Sequence, residues 1–365
     1  MKLRIHKQEL SKHISIVQKA ISGRTPMPIL EGILVECFNN QIKLTGSDGE
    51  ISIETYVDAF IEEEGSVVIG SRIFGDIIRK LPNAMVSIDV EGTNIKITCE
   101  QSEFNILGQN TKEYPNLPVV EEINSITIPG EKLKEGIKST EFAVSLDEIR
   151  PALTGVLMDI HKESISFVAL DGYRMSLKIE DVKNNFEREA IVPSRSCNEL
   201  IKIMDEDLEE VTLIFSNNHI SVNLGNTIFY TKLINGEFFA YEGLVRREHS
   251  KTVKVNRMDF LNSLERASLL AKEERANLVK LDIRNGEVLI ESNSDIGNVH
   301  ELVPCEKDGE DLKIAFNSKY LIEGIRTIPT SEIILQFTDA INPCIIQPPE
   351  REDYIYLVLP VRLAN

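Results

Sequence analysis

Three stretches decide the fold: LTGSDGEISIE at 44–54, FVALDGYRMSLKIE at 167–180 and LIESNSDIGNVHEL at 289–302. Each runs from a β-type segment through an acidic turn into a second β-type segment, the pattern of a hairpin. The turn acids Asp48, Asp171 and Asp295 stand 123 and 124 residues apart. Each is followed 23 residues later by a serine that opens a helix-like run: Ser71 in IGSRIFGDIIRKLP, Ser194 in VPSRSCNELIKIM and Ser318 in AFNSKYLIEGIRTI. A third landmark, a two-residue turn, recurs every 123 residues as Asn39-Asn40, Lys162-Glu163 and Asn285-Gly286. Of these, Asn285-Gly286 has the residues best suited to the positive φ of a type I′ turn. Three landmarks in register over three copies make the chain a repeat.

A period near 123 residues is far longer than a solenoid's and is the size of a domain. The 365 residues therefore read as three similar domains, 1–124, 125–248 and 249–365. The joints lie in the polar stretches 121–130 and 246–255. Within a unit the order repeats. A short strand leads to a helix such as KQELSKHISIVQKAIS (7–22), whose Leu10, Ile14, Val17 and Ile21 share one face. A hairpin follows, then an alternating strand in which Ile51, Ile53, Thr55 and Val57 point one way. A second helix and a second hairpin complete the unit. About eight strands and two helices per unit give an α+β class, with the helices gathered on one side of antiparallel sheets.

The chain carries 40 Lys and Arg against 58 Asp and Glu, a net charge of −18. Such a balance excludes a protein that adheres to nucleic acid over its whole surface. The positive charge is not spread evenly. Arg72, Arg79 and Lys80 lie outside the apolar stripe of the second helix in unit one. Arg195, Asn198 and Lys202 share a face in unit two, as do Lys319 and Arg326 in unit three. The first helices add Lys12 and Lys19, Lys134 and Lys138, and Arg257 and Arg266. Six basic faces at matching places in three repeats suggest one basic surface inside an acidic molecule.

Catalytic patterns are missing. The six histidines lie singly, and HExxH, GxSxG, Walker A and GxGxxG are all absent from the sequence. The turn aspartates are expected to cap turns. The five cysteines are scattered without a CxxC, which points to reduced, buried thiols, Cys197 included. The opening MKLRIHKQEL holds no apolar run of signal-peptide length, and no stretch reaches the ~18 apolar residues of a membrane span. A cytoplasmic protein without membrane partner, cofactor or metal is expected.

Five motifs carry a family resemblance: SGRTPMPILEGILVE (22–36), EYPNLP (113–118), IRPALTGVLMD (149–159), ALDGYRMSL (169–177) and YLVLPVRLAN (356–365). The chain resembles the bacterial sliding clamps, the beta subunits of DNA polymerase III, over its whole length. The resemblance implies a DNA clamp fold of three similar domains per chain. Two chains close head to tail into a ring, with two helices per domain lining the hole. The implied function is a non-catalytic DNA polymerase processivity factor. The ring encircles duplex DNA without sequence preference and slides on it. It also holds the replicative polymerase, the clamp loader and other proteins with clamp-binding motifs.

By the same resemblance, DNA is met by Arg24, Arg72, Arg79, Lys80, Lys134, Lys138, Arg195, Lys202 and Lys319. Peptides are received in a pocket of Leu153, Leu170, Gly172, Tyr173, Arg174 and Met175 together with Leu357, Val358, Leu359, Pro360, Val361, Arg362 and Leu363. Arg174 and Arg362 are its polar edges. The homodimer closes through Phe104 and Ile106 against Leu269 and Leu270. The sequence departs from the family at Pro151 and Ala152, where tyrosines are common. It departs again in GEFFAYEGLVRRE (236–248), where Phe239 and Ala240 replace Pro-Asp and Gly243 stands in place of an Arg. Two other classes compete: an acidic α+β scaffold that binds proteins without encircling DNA, and a nuclease. The repeated basic faces favour the clamp over the scaffold.

Overall fold

In the first repeat the chain runs β1 (Lys2–His6), α1 (Lys7–Val17), β2 (Gly32–Phe38), β3 (Gln41–Ser47), β4 (Ile51–Asp58), β5 (Phe60–Glu63), β6 (Gly65–Gly70), α2 (Ser71–Lys80), β7 (Met85–Glu91), β8 (Asn94–Cys99) and β9 (Ser102–Leu107). The second runs β10 (Asn124–Pro129), α3 (Gly130–Thr140), β11 (Gly155–Ile160), β12 (Ser164–Leu170), β13 (Arg174–Asp181), β14 (Arg188–Pro193), α4 (Ser194–Ile203), β15 (Glu210–Phe215), β16 (His219–Asn223) and β17 (Thr227–Lys232). The third runs β18 (Lys251–Asn256), α5 (Arg257–Ala271), β19 (Leu278–Arg284), β20 (Glu287–Ser294), β21 (Gly297–Asp308), β22 (Leu312–Asn317), α6 (Ser318–Thr327), β23 (Glu332–Phe337), β24 (Cys344–Gln347) and β25 (Tyr354–Val358). This is a computed structural model, and it describes all residues except 24, 26, 118–119, 246–248, 273–276 and 363–365. The repeat of two helices and about eight antiparallel strands is therefore present three times.

The chain forms two compact units, Met1–Glu131 with Arg195–Leu233, and Lys132–Ser194 with Ile234–Asn365. The middle repeat is shared between them. The first unit holds a five-stranded sheet, β5-β1-β7-β8-β9, and an eight-stranded sheet, β10-β15-β16-β17-β4-β3-β2-β6. The second holds one twelve-stranded sheet, β14-β11-β12-β13-β25-β24-β23-β18-β21-β20-β19-β22. Repeats are thus joined by strand pairing. β17 pairs antiparallel with β4, Phe229 facing Ile53, and β25 pairs with β13, Tyr356 facing Ser176.

Alternation decides which face is buried. In β4, Ile51, Ile53, Thr55 and Val57 all face the core, as their spacing requires. Thr55 is admitted there because its hydroxyl is satisfied twice: it lies 2.7 Å from His13 Nδ1 of α1 and 2.8 Å from Thr227 Oγ1 of β17. His13 is buried and held below the usual histidine range by desolvation. In α1, Leu10, Ile14 and Val17 are buried as expected, but the helix ends at Val17 rather than at 22. A 3-10 turn, Gln18–Ala20, follows, and Ile21 is extended. Gly46 of β3 packs so closely on the carbonyl of Val17 that an added Cβ would come within 2.4 Å.

Two helical glycines set how closely helices lie on the second unit's sheet. A Cβ on Gly136 would meet the Phe167 ring at 2.4 Å, and one on Gly324 the Tyr356 ring at 2.0 Å. Two hairpin expectations are corrected. Asn39 and Asn40 both have positive φ, 48° and 61°, so the paired-positive turn is theirs. At Asn285-Gly286 only Gly286 is positive, at 87°. The ladders also shift one landmark. Ser47 faces Ser52, Leu170 faces Met175 and Asn293 faces Asn298. Ser294, not Asp295, therefore occupies the position of Asp48 and Asp171, and Asp295 sits in the two-residue tip between β20 and β21.

Candidate functional site

The turn aspartates of the first two repeats do more than cap. Asp48 Oδ1 accepts from the amides of Glu50 and Ile51, and its Oδ2 pairs with Arg195 at 2.5 Å. Asp171 Oδ1 accepts from the amides of Tyr173 and Arg174, and its Oδ2 accepts from Arg174 Nε at 3.0 Å. Gly172, at φ 89°, makes that turn possible. The turn hands Arg174 into the second unit's interior, where it is 7% exposed. Its guanidinium donates to Glu323 and to the Phe142 carbonyl, and lies 4.6 Å from the centre of the Tyr320 ring. Burial alone would lower its pKa, but Tyr356, Glu323 and Asp171 together raise it, so the charge is firmly held. The sequence placed Arg174 at the polar edge of a pocket. It does line the pocket, and its nitrogens are at the same time engaged by the protein, so it also acts as a strut.

Above that strut lies an apolar cavity of about 290 Å³. Leu153, Leu170, Gly172, Tyr173, Arg174, Met175, Leu357 and Leu359 of the expected residues line it. Arg150, Phe239, Leu244 and Pro343 complete it. Strand pairing assembles the wall: Met175 of β13 faces Leu357 of β25, and Leu359 N donates to the Tyr173 carbonyl. Tyr241 fixes the other wall. Its hydroxyl donates to Asp159 Oδ2 at 2.8 Å, anchoring the segment that carries Phe239 and Leu244. A second cavity, about 620 Å³, adjoins the first through Arg150, Leu153, Gly172, Tyr173 and Arg174. It is more polar, bounded by Ser145, Asp147, Asp171 and Lys319, with the Tyr320 ring stacked on Tyr173 at 6.1 Å.

Some expected pocket residues lie elsewhere. Val358 is fully buried in the core on the opposite face of β25. Pro360, Val361 and Arg362 line neither cavity, Val361 N donating instead to the Ala315 carbonyl. Leu363 lies outside the described residues. Arg150, Leu244, Pro343 and Tyr320 were missed by the sequence reading. Pro343 comes from a loop distant in sequence, and no local pattern marks it.

The basic residues divide into two sets. Among the described residues, Arg72, Lys80, Lys134 and Lys138 have no acidic partner, and all but Lys134 are exposed. The others are paired: Arg79 with Asp76 at 2.5 Å, Arg195 with Asp48, Lys202 with Glu199 at 2.9 Å and Lys319 with Glu323 at 3.8 Å. Arg24 lies outside the described residues. The six α-helices carry fourteen Lys and Arg against eight Asp and Glu, in a chain with the opposite balance. The expected charge segregation is present, although about half of the named cations are neutralised locally.

Of the residues expected at a chain–chain contact, Phe104 and Ile106 lie on the edge strand β9, and Leu269 and Leu270 lie near the end of helix α5. β9 ends the five-stranded sheet, and the half of β21 before Val303 pairs on one side only, with β20. Phe104 is 37% exposed and shares the inner face of β9 with the half-buried Ile106. Leu269, near the end of α5, is 66% exposed, and Leu270 is half-buried. Cys197 is buried as expected. Among the described residues no helix is long and apolar enough to cross a membrane.

Family models of the DNA polymerase III beta subunit match throughout: the N-terminal domain over 1–118, the central domain over 127–239 and the C-terminal domain over 244–362. The beta sliding clamp of Bacillus subtilis is 36% identical over 376 residues, covering 99% of this chain and all of the relative. The crystal structure of the Bacillus subtilis DNA polymerase sliding clamp superposes with a TM-score of 0.95, at 35% identity, with both chains fully covered. A Pseudomonas aeruginosa sliding clamp bound to griselimycin gives a TM-score of 0.95 at 26% identity, again with both chains fully covered. Three clamp domains in series, helices packed on antiparallel sheets and similarity over the full length have one common meaning: the chain belongs to the DNA polymerase III beta subunit family, the bacterial sliding clamps.

Proposed function

We propose that this protein is a DNA polymerase processivity factor. Two copies close into a ring around duplex DNA, and the pocket holds the polymerase. The single observation that carries this is the pattern of strand junctions. Three equivalent repeats offer three equivalent junctions. Two are filled by the next repeat in the chain, while β9 and the first half of β21 remain as open, complementary edges. A second copy completes both, and the result is a closed ring in which neither of these two edges is left open. The repeat boundaries follow as 1–124, 125–248 and 249–365.

The charge distribution supports the same reading. The helices carry the cations, and Arg72, Arg79, Lys80, Lys134, Lys138, Arg195, Lys202 and Lys319 are the residues assigned to face DNA. Phosphate contacts of this kind carry no sequence information. Retention is topological, so the contacts can be few and weak. The apolar cavity takes the leucine- or phenylalanine-sized anchor of a short motif, and the polar cavity beside it takes the flanking backbone. Polymerase, clamp loader and other motif-bearing proteins compete for it. The protein's work is binding, with no catalytic step of its own, in the cytoplasm.

Loading onto a closed circular plasmid tests the proposal. The loaded protein should remain with the circle and be released when the plasmid is cut. Equal retention on both forms would overturn the topological reading. Sedimentation should give about twice the 41.2 kDa chain mass.

A further inference from the structure

The repeats define the register of the open edges as well as their existence. The hairpin ladders place β13 on β4 at a shift of 123 residues and β21 on β4 at a shift of 246. On the other side, the Leu224–Thr227 turn matches Cys99–Ser102, placing β9 on β17 at a shift of 125. The observed pairs can then be transferred. Ile53 faces Phe229, which maps to Val299 facing Phe104. Ser176 faces Tyr356 at the other junction, which maps to the same pair. Ile51 facing Thr231 maps to Gly297 facing Ile106, so the inner faces match apolar to apolar.

On the outer face the transferred register sets Asn298 against Asn105 and His300 against Glu103. His300 is exposed, and its Nδ1 already lies 2.9 Å from Glu291 Oε1 on β20. Glu103 is exposed, pairs with Lys96 at 3.0 Å and accepts from Asn105. The charged groups around the imidazole are therefore Glu291, with Lys280 beyond it on β19, and Glu103 of the second copy, with that copy's Lys96 beyond it. Residues directly opposite in an antiparallel pair have Cβ atoms about 5 Å apart, within reach of a His–Glu contact.

We propose that ring closure is a proton-linked strand latch: β21 of one copy pairs with β9 of another in this register, and protonated His300 bridges Glu291 of its own chain and Glu103 of the second copy. This rests on the ring reading above. The direction follows from linkage. Dimerisation adds a carboxylate beside the imidazole, so the dimer binds the proton more tightly than the monomer does. The added attraction exists only while the imidazole carries its proton, so it strengthens the dimer at acidic pH and is lost as pH rises. A closed ring has two such contacts.

The test is sedimentation of the full chain at pH 6 and pH 8, with cross-linking as a second measurement. The dimer should be about three- to tenfold tighter at pH 6, as expected for two exposed cross-strand pairs. His300→Gln and Glu103→Gln should each dimerise with that difference abolished. Glu103→Lys and His300→Glu should each weaken the dimer, and the double variant should restore it. Asn298→Cys with Asn105→Cys should give a covalent dimer on oxidation, unlike the parent chain. A pH difference that survives His300→Gln overturns the latch. Failure of the cysteine pair to cross-link in a protein that still dimerises overturns the register. A chain that remains monomeric at both pH values overturns the ring reading itself.

Discussion

Arg174→Ala separates a strut from a ligand contact. The side chain is 7% exposed, and its partners Asp171 and Glu323 are themselves largely buried, their side chains 13% and 30% exposed. Removing one member of a buried ionic cluster strands the others, which costs about 3–5 kcal/mol. The loss of stacking on Tyr320 adds about 0.5–2 kcal/mol. For a cooperative unit of this size each kcal/mol lowers Tm by about 2–4 °C, so the second unit should melt roughly 6 °C or more below the parent. Arg174→Lys should recover little of this, since a point charge cannot reach Asp171, Glu323 and the Phe142 carbonyl together. The assay is calorimetry in parallel with titration of a fluorescent peptide bearing a leucine–phenylalanine anchor. Tyr173→Ala, at an exposed position lining both cavities, serves as the control that weakens peptide without lowering Tm. An Arg174→Ala protein with unchanged Tm and abolished peptide binding would refute the strut and return Arg174 to the ligand.

Gly324→Ala should destabilise despite the better helix propensity of alanine: the new methyl meets the Tyr356 ring, and overpacking of this kind costs about 1–3 kcal/mol against a gain of about 1. Denaturant midpoints check it, and an unchanged or raised midpoint contradicts the close packing. Asp353 should make stability acid-sensitive. Burial raises its pKa, but hydrogen bonds and charges from Arg351 and Lys178 outweigh this and hold it at about 2. Its contribution is complete above about pH 4 and is lost as pH falls toward 2, so Asp353→Asn should lower the denaturant midpoint at pH 7 and leave it unchanged near pH 2. Asp76→Asn with Glu199→Gln should release Arg79 and Lys202 and slow one-dimensional diffusion of the loaded ring. Unaltered diffusion would mean that these cations do not meet DNA.

The fold was legible because the chain spells it three times. A single hairpin with an acidic turn is weak evidence, but LTGSDGEISIE and FVALDGYRMSLKIE hold the same register in sequence and in space. The third copy shows where reading by eye fails. Asp295 resembles Asp48, yet the ladder assigns that place to Ser294, because the acid stands one residue later in a hairpin of the same length. Helix α1 ends early, at the point where Gly46 packs on the Val17 carbonyl, a contact between residues nearly thirty positions apart. The pocket was legible on β13 and β25, whose alternation separates Leu357, lining the cavity, from Val358, in the core. Arg150, Leu244 and Pro343 were not, since only folding brings those loops together. The sequence showed that Arg174 was polar and near the pocket. It could not show that Glu323, 149 residues away, would occupy its guanidinium.

The paired cations bear on how the proposed ring could slide. A protein that neutralises many phosphates binds DNA tightly, with log K falling by about 0.9 per contact for each decade of salt. Tight binding suits a repressor and hinders a ring that must travel. In this chain Asp76, Glu199 and Glu323 lie within a turn of Arg79, Lys202 and Lys319 on the same helices. Each phosphate must therefore compete with a carboxylate already in place, so the net gain per contact is small. Among the described residues Arg72, Lys80, Lys134 and Lys138 have no such competitor, and in the proposed ring they are the cations that attract the duplex. The locally paired set flattens the energy from one phosphate to the next. The acidic balance that seemed to argue against nucleic acid thus fits a protein that surrounds DNA without gripping it.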